Sequence, residues 1–248
     1  MLRWSAAMRV SLFVTCLVDS FWPEVGVSAV QVLRRAGCDV SFEPRQTCCG
    51  QPAFNTGYQD EARRVAGAMV DVFAEDDAEA IVVPSGSCAA MVKHAPGLFA
   101  EDDPRRAKAE SVAARTYELS AFLVDVLDVT DVGARLDARL VWHDGCHGLR
   151  DLGISRQPRA LLEKVAGAEL VEAAGEPTCC GFGGTFSIKQ PEVSIAMLDT
   201  RLETLNQTAP DVIVSGDVSC LMQIDGRIRK TAPDGPRVLH LAQVLASR

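Results

Sequence analysis

Short runs of apolar or alternating residues with β-branched side chains recur along the chain, and turn residues or cysteines bound each run. This pattern predicts strands. Longer stretches between the runs carry apolar residues at three- and four-residue spacing, which predicts helices. The predicted strands cover residues 9–15, 39–43, 79–83, 139–143, 169–172 and 211–215. The predicted helices cover residues 25–35, 59–75, 88–99, 117–127, 156–166, 192–206 and 220–229.

Strands that alternate with helices predict βα units, and consecutive βα units build a mainly parallel sheet. The expected fold is therefore α/β, with two pseudo-symmetric repeats, each a small mainly parallel sheet flanked by helices. Residues 102–110 and 128–137 are the candidate junctions, and the predicted domains are residues 1–130 and 131–248. Neither junction is rich in Gly or Ser, so we expect the two halves to pack together.

Composition and charge narrow the class of protein. The 248 residues are 48% hydrophobic and 23% charged, which excludes disordered and collagen-like chains. The net charge of −8 argues against nucleic-acid binding. No apolar run is long enough for a membrane span. Residues 10–18, behind Arg3 and Arg9, lack a small-residue cleavage site and are interpreted as a buried strand rather than a leader. The expected compartment is the cytoplasm.

Eight of the nine cysteines obey one internal period. Each half carries a Cys-Cys-Gly triplet, and the matching cysteines are separated by nearly constant distances, since 146 minus 16 is 130 and 220 minus 88 is 132. The sequence therefore contains an internal repeat. Cys38 stands outside the period and is interpreted as a small buried hydrophobe or a surface thiol. The two sets are Cys16, Cys48, Cys49, Cys88 and Cys146, Cys179, Cys180, Cys220.

The cysteines of the repeat follow the predicted strands, with a longer loop before the second Cys-Cys pair. Ligands of open parallel sheets collect outside the carboxyl ends of the strands, so we expect three loops to bring the four thiols of one half together. Gly50 and Gly181 allow the backbone to come close, and backbone N–H groups there can donate to sulfur. Neighbouring helix N-termini favour thiolate over thiol.

Four sulfur ligands per half suit an iron–sulfur cluster or zinc and do not suit magnesium or calcium. An odd number of cysteines in a reducing compartment also indicates metal or redox chemistry. Structural zinc sites usually use C-x₂₋₄-C knuckles, which this sequence lacks, so the long spacings favour an iron–sulfur centre. Two alternatives stay open, namely zinc in one repeat and buried structural cysteines without a ligand.

The spacing Cys-x₃₁-Cys-Cys-Gly followed by a fourth Cys, repeated as Cys-x₃₂-Cys-Cys-Gly and a fourth Cys, resembles the tandem cysteine-rich CCG domain. That domain occurs in heterodisulfide reductases and in iron–sulfur subunits of glycolate and glycerol-3-phosphate oxidation systems. The phrases CCGQPAFN, PSGSC, CCGFGGTFS and VLHLA resemble the lactate-utilisation members of this family; they begin at Cys48, Pro84, Cys179 and Val238.

The resemblance implies an iron–sulfur subunit of a cytoplasmic L-lactate-oxidising complex of three proteins. Such a subunit carries clusters and exchanges electrons with the other iron–sulfur subunits, and the eight periodic cysteines would bind one or two [4Fe–4S] clusters. One departure concerns the family's terminal Cys-x-x-Cys, because Ser85 and Asp217 replace the first cysteine. Four cysteines suffice for a [4Fe–4S] centre, whereas the enlarged noncubane clusters of the reductase do not carry over. We predict that Ser85 and Asp217 cap helices, with an oxygen ligand as the alternative.

Polar residues near the cysteines are assigned supporting parts, and no catalytic residue is assigned. His147 and His143 lie next to Cys146 in sequence, and a hydrogen bond toward the centre is favoured over a ligand or catalytic part. His94 and His240 are expected on helices, at the surface or the edge of the core. Three further groups could tune the local charge: Glu24, Asp144 and Lys189.

Three functions follow from these features. The first is an electron-transfer subunit, an oxidoreductase component that depends on partner subunits. No Gly-x-Gly-x-x-Gly follows a strand and no ferredoxin-type cysteine run is present, so its electrons would come from another polypeptide. The second is a zinc-containing structural or assembly subunit. The third is a stand-alone thiol or disulfide reductase.

Overall fold

The structure is a computed structural model that describes residues 7–248, so Arg3 lies outside the described residues. It contains one four-stranded sheet in each half, and all strand pairs in both sheets are parallel. The spatial orders are β2-β1-β3-β4 and β6-β5-β7-β8, which are the same order repeated. The strands β1 to β8 are Arg9–Leu12, Asp39–Ser41, Ala80–Val83, Thr116–Glu118, Arg135–Trp142, Ala166–Val171, Val212–Ser215 and Arg237–His240.

Helices connect the strands and cover the sheets, as parallel pairing requires. A 3₁₀ turn at Ala95–Leu98 and a π-helical segment at Phe122–Val126 interrupt the α-helical series. Within residues 7–248, every helix is too short or too polar to cross a bilayer. Helices α1 to α13 are Cys16–Phe21, Pro23–Arg35, Gln51–Asn55, Gln59–Glu75, Gly86–His94, Pro104–Ala114, Leu119–Ala121, Cys146–Leu152, Arg156–Leu162, Phe186–Lys189, Pro191–Asn206, Val218–Thr231 and Leu241–Ala246.

The α/β fold with two parallel repeats is confirmed, and each of the six predicted strands is present. Two edge strands, β4 and β8, were not predicted. The predicted helix over 117–127 is wrong at its start. There Thr116–Glu118 form β4, and the buried Glu118 side chain accepts from the backbone of Ser120 to begin the next helix. The candidate junction at 102–110 contains the start of helix α6, with Asp103 as its cap, and is therefore helical.

The two halves share a hydrophobic core. Buried Val82 from the first sheet and Val214 from the second belong to one cluster of packed apolar side chains. Helix α13 of the second half also packs on α2 of the first half. The Arg35 guanidinium donates to the carbonyls of Leu245 at 3.1 Å and Ala246 at 2.7 Å. The halves therefore pack directly on each other, while the domain boundary at 130/131 stays a prediction.

Candidate metal centre

The site begins at the carboxyl ends of the central strands. In the first half, Cys16 is the first residue of α1, just beyond β1, and Cys88 lies in the first turn of α5, just beyond β3. Strands β1 and β3 are neighbours, so these two loops leave the sheet side by side. The loop between β2 and α3 supplies Cys48 and Cys49. The sheet topology thus gathers cysteines that are far apart in sequence, as expected for a parallel sheet.

The four thiols of the first half contact each other. The Sγ atoms of Cys16 and Cys48 lie 3.6 Å apart, as do those of Cys49 and Cys88. The backbone N–H of Gly50 donates to Cys48 Sγ at 3.5 Å. Gly50 has a φ of 90°, in the left-handed region that favours glycine. The triplet glycine therefore gives the chain its turn and supplies a donor to sulfur.

The second half repeats this arrangement. The Sγ atoms of Cys180 and Cys220 lie 2.9 Å apart, and Gly181 N–H donates to Cys179 Sγ at 3.4 Å. Gly181 has a φ of 79°, and a Cβ at this position would lie 2.3 Å from the Ser194 carbonyl oxygen. Only glycine fits there.

Both groups of thiols open into one cavity. Its volume is about 230 Å³, and all eight periodic cysteines line it together with Phe182 and Ile188. The sequence predicted one group of four thiols in each half, and the structure places both groups around a single space. The cause is the direct packing of the halves, which turns the carboxyl ends of both sheets toward each other. Two centres bound here would be neighbours.

Hydrogen bonds between thiols divide each group into donors and acceptors. Hydrogen bonds from Cys16 and Cys49 lower the pKa of Cys48 to about 3, and Cys146 lowers the pKa of Cys179 to about 2 in the same way. The pKa of the donor Cys16 is raised for the same reason. Each half therefore favours one thiolate at neutral pH, which is the form that binds metals.

The residues present fit an anionic sulfur-bound centre. All the ligand candidates are thiols, and backbone N–H groups point at their sulfur atoms. In the second half, Arg201 is 1% exposed. It forms no salt bridge with a carboxylate of residues 7–248. A buried guanidinium needs a nearby negative charge. Burial lowers the pKa of Arg201, while the charges of Asp144, Cys180 and Cys220 raise it.

Arg201 and His143 form a pair that the sequence did not single out. His143 is fully buried, and its Nδ1 accepts a hydrogen bond from Arg201 Nε at 3.0 Å. One ring nitrogen of His143 and the Sγ atoms of Cys180 and Cys220 lie within 4.8 Å of one another. The prediction that His143 serves by hydrogen bonding is consistent with this geometry. Arg201 was missed because an arginine on an amphipathic helix usually faces solvent.

Ser85 and Asp217 occupy helix N-cap positions, but only Ser85 caps its own helix as predicted. Ser85 Oγ accepts from the backbone of Cys88 at 3.2 Å, as an N-cap does. Asp217 makes no side-chain cap on its own helix α12. Its Oδ1 instead accepts from Ser85 Oγ at 2.7 Å and from the N–H and Oγ of Ser87 at 3.1 and 2.8 Å. Asp217 thus caps the helix of the other half and joins the halves beside the cavity.

The other histidines differ in their surroundings. His147 lines the cavity, and its Nδ1 lies 2.6 Å from Asp151 Oδ2. His94 is exposed at the end of α5, as expected. The expectation for His240 is wrong, because it is fully buried at the end of β8 and its Nδ1 accepts from Ala242 N–H. The unpredicted edge strand β8 explains the error.

The three charged residues predicted to tune the charge near the cysteine loops also differ in their burial and contacts. Asp144 is buried and accepts from Trp142 Nε1 and from both terminal nitrogens of Arg159, each at 2.9 Å. Lys189 reaches the other half, where its Nζ lies 3.3 Å from the Tyr58 hydroxyl. Glu24 is exposed in the first turn of α2. Cys38 is buried in the hydrophobic core, outside the cysteine cavity, as one of its two interpretations required.

Comparison with known proteins supports the repeat. The family CCG, described as "Cysteine-rich domain", matches residues 10–93 and again residues 140–225. The chain is 48% identical to lactate utilization protein A of an Exiguobacterium species over 96% of both chains. It is 48% identical to the protein of that name from Geobacillus kaustophilus and 46% identical to the one from Bacillus subtilis, over 97% of this chain and 100% of each relative. Both matched segments contain a full set of four periodic cysteines.

Proposed function

Because the chain belongs to the CCG cysteine-rich domain family, and within it to the family of lactate utilization protein A, we propose that it is an iron–sulfur redox subunit of a lactate-oxidising system. In this proposal it carries one or two [4Fe–4S] clusters in the cytoplasm and exchanges electrons with other iron–sulfur subunits. The substrate class rests on the name of the relatives, and the redox part rests on the cysteines.

The observation that carries the proposal is the grouping of eight thiols around one cavity. The first group would use Cys16, Cys48, Cys49 and Cys88, and the second Cys146, Cys179, Cys180 and Cys220. A [4Fe–4S] centre, when bound, accepts and returns single electrons. Two such centres would hold the two electrons that the oxidation of an alcohol to a ketone releases, as in lactate to pyruvate.

The chain's own residues supply the environment of such a centre. The cavity walls are largely apolar, which limits water near the sulfur atoms. Gly50 and Gly181 donate to sulfur and would stabilise negative charge there. Ser85 and Asp217 are engaged in capping and in joining the halves, which favours four thiolate ligands per centre over an added oxygen ligand.

The experiment is purification of the full chain under anaerobic conditions, followed by iron, sulfide and zinc analysis and electron paramagnetic resonance (EPR) of the dithionite-reduced protein. We expect iron and acid-labile sulfide in equal amounts and a signal that appears on reduction. Cys38→Ser is the matched control, because this thiol is buried away from the cavity and its loss should leave the iron content unchanged. Iron-free protein from both anaerobic purification and reconstitution with iron and sulfide would contradict the proposal.

One observation favours zinc in the second half as the alternative. His143, Cys180 and Cys220 place a ring nitrogen and two sulfur atoms within 4.8 Å, which suits three ligands of one zinc ion once Arg201 releases Nδ1 or Nε2 loses its proton. Stoichiometric zinc that persists after reconstitution with iron and sulfide would support this structural function.

A further inference from the structure

His143 has one ring nitrogen whose hydrogen bond is not accounted for within the described chain. Its Nδ1 is occupied by Arg201, and its Nε2 is buried without a partner among residues 7–248. A buried polar atom without a partner is costly, so it points to a group that the protein binds. One ring nitrogen of His143 lies within 4.8 Å of the Sγ atoms of Cys180 and Cys220, so these sulfur atoms are among the polar neighbours of the ring.

Arg201 fixes where the proton of His143 lies. The Nε–H of a guanidinium can only donate, so Nδ1 of His143 must be the acceptor. Because Nδ1 accepts this hydrogen bond at 3.0 Å, it carries no proton, and the proton of the imidazole sits on Nε2. An N–H nitrogen has no lone pair free for a metal. It can donate to sulfur instead.

Within the described residues, the first half carries no such pair. The backbone N–H of His143 donates to Val214 at 2.8 Å, and at the same point of the first sheet the N–H of Phe13 donates to Val82 at 2.9 Å. Phe13 is therefore the counterpart of His143. It packs in an apolar cluster with Cys49 and with Met69, which lies at the α4 position that matches Arg201.

This correspondence of α4 and α11 follows from the triplet glycines. A Cβ on Gly50 would be nearest to the Ala62 carbonyl, and one on Gly181 nearest to the Ser194 carbonyl, so positions 132 residues apart match because 194 minus 62 is 132. The same offset relates position 201 to position 69. One thiol group is thus backed by Phe13 and Met69, and the other by a buried N–H donor and a buried cation.

We propose that His143 donates an Nε2–H hydrogen bond to sulfur of the second group, that Arg201 positions this donor, and that an electron on the reduced protein therefore resides preferentially at the second group. The inference rests on the proposed function. A hydrogen bond and a positive charge beside the sulfur atoms stabilise the reduced form, which is one negative charge richer. When an electron moves from the first group to the second, the first group is oxidised by one electron and the second is reduced by one. No bond is made or broken.

The test measures reduction potentials of the two groups separately by EPR-monitored titration. Cys146→Ser/Cys180→Ser leaves only the first group, and Cys16→Ser/Cys49→Ser leaves only the second. We expect the second group to have the higher potential. In the second-group protein, His143→Phe should lower the ratio of reduced to oxidised centre at a given potential at least tenfold, which corresponds to 59 mV for one electron. His143→Gln, which keeps an N–H donor, should restore part of the shift.

His94→Phe is the matched control, because it removes an exposed histidine and should leave both potentials unchanged. A second readout is the coupling of exchangeable protons to the electron spin in the reduced second-group protein. The Nε2 proton should add a coupling to that of the Gly181 N–H, and the added coupling should be absent in His143→Phe. Failure of the wild type to load iron would overturn the proposed function and this inference together. Full iron loading with equal potentials, no response of the potential to His143→Phe and no coupling that His143→Phe removes would overturn this inference alone.

Discussion

The two halves of the chain build the same thiol group on the same sheet and then surround it differently. The strand order, the triplet glycines and the N–H donors to sulfur recur in both. Behind the sulfur atoms, however, Phe13 and Met69 of the first half correspond to His143 and Arg201 of the second. The duplicated fold therefore fixes where the cysteines meet, and the side chains one layer further out are free to differ in polarity.

The largest expected change in the free energy of unfolding comes from substituting the triplet glycines, which both halves share. Gly181→Ala should lower the free energy of unfolding by about 3 kcal/mol or more, because φ is 79° and the new Cβ would lie 2.3 Å from the Ser194 carbonyl. Gly50→Ala should cost less, about 2 kcal/mol, since its nearest atom is 3.0 Å away. Anaerobic urea unfolding measures both.

Gly37→Ala is the control for that comparison. Gly37 has a φ of 89° but no atom within 4 Å of the added Cβ, so it isolates the conformational cost of about 1 kcal/mol. Equal losses in all three variants would show that close packing at the triplets contributes nothing.

The two halves also differ in a buried helix cap, which is the acidic Glu118 in the first half and the basic His240 in the second. Val83 pairs with Glu118 and Ser215 with His240, so these two buried caps occupy the same place in the two sheets. Burial raises the pKa of Glu118 from 4.5 to about 7 and lowers that of His240 from 6.5 to about 4. The stability from Glu118 is complete below pH 4.5 and is lost as pH rises through 7. The stability from His240 is complete above pH 6.5 and is lost as pH falls through 4.

Between pH 4.5 and 6.5, the stability from Glu118 falls and the stability from His240 rises, so the two changes in the free energy of unfolding should nearly cancel. Glu118→Gln removes one slope, so the stability of this variant relative to wild type should rise by about 3 kcal/mol from pH 4.5 to 7.5. His240→Asn should show the reverse trend of similar size. Urea unfolding across this pH range measures both, and parallel pH profiles of the variants and the wild type would contradict the assignment.

Asp217 and Ser85, the N-cap residues next to the cavity, should differ in their contribution to stability. Asp217→Ala should cost about 2 kcal/mol, because it removes the acceptor of three hydrogen bonds across the two halves and leaves the Ser87 N–H unpaired. Ser85→Ala should cost about 1 kcal/mol, the usual value for an N-cap. Thermal unfolding of each variant provides the test. A larger loss for Ser85→Ala would contradict the view that Asp217 joins the halves.

The smallest effect concerns the residue before the first cysteine of each group. Thr15 has a φ of 73° and a ψ of 149°, a conformation that a β-branched residue rarely adopts, whereas its counterpart Gly145 has an ordinary φ of −66°. Thr15→Gly should therefore raise the free energy of unfolding by about 1 kcal/mol. Gly145→Ala should lower it, since a Cβ there would lie 2.7 Å from Asp217 Oδ2. A destabilised Thr15→Gly would contradict the strain at Thr15.

The sequence predicts the thiol groups well because their evidence is a period in the chain itself. Cys16 and Cys88 follow apolar runs that can only be strands, and a parallel sheet brings strand ends together. The pair of His143 and Arg201 could not be predicted, because a long-range contact between a strand end and a helix leaves no local pattern. Asp217 was assigned to the correct position but to the wrong helix, since only the packing of the halves brings it to Ser87.

The most direct test of the account counts iron in proteins that lack one thiol group. Cys16→Ser/Cys49→Ser and Cys146→Ser/Cys180→Ser, each purified anaerobically, should retain about half of the iron and sulfide of the wild type, because each half would bind its own centre. A loss of all iron in both variants would show that the two groups share one centre. Iron content equal to that of the wild type in either variant would show that the substituted thiols are not ligands.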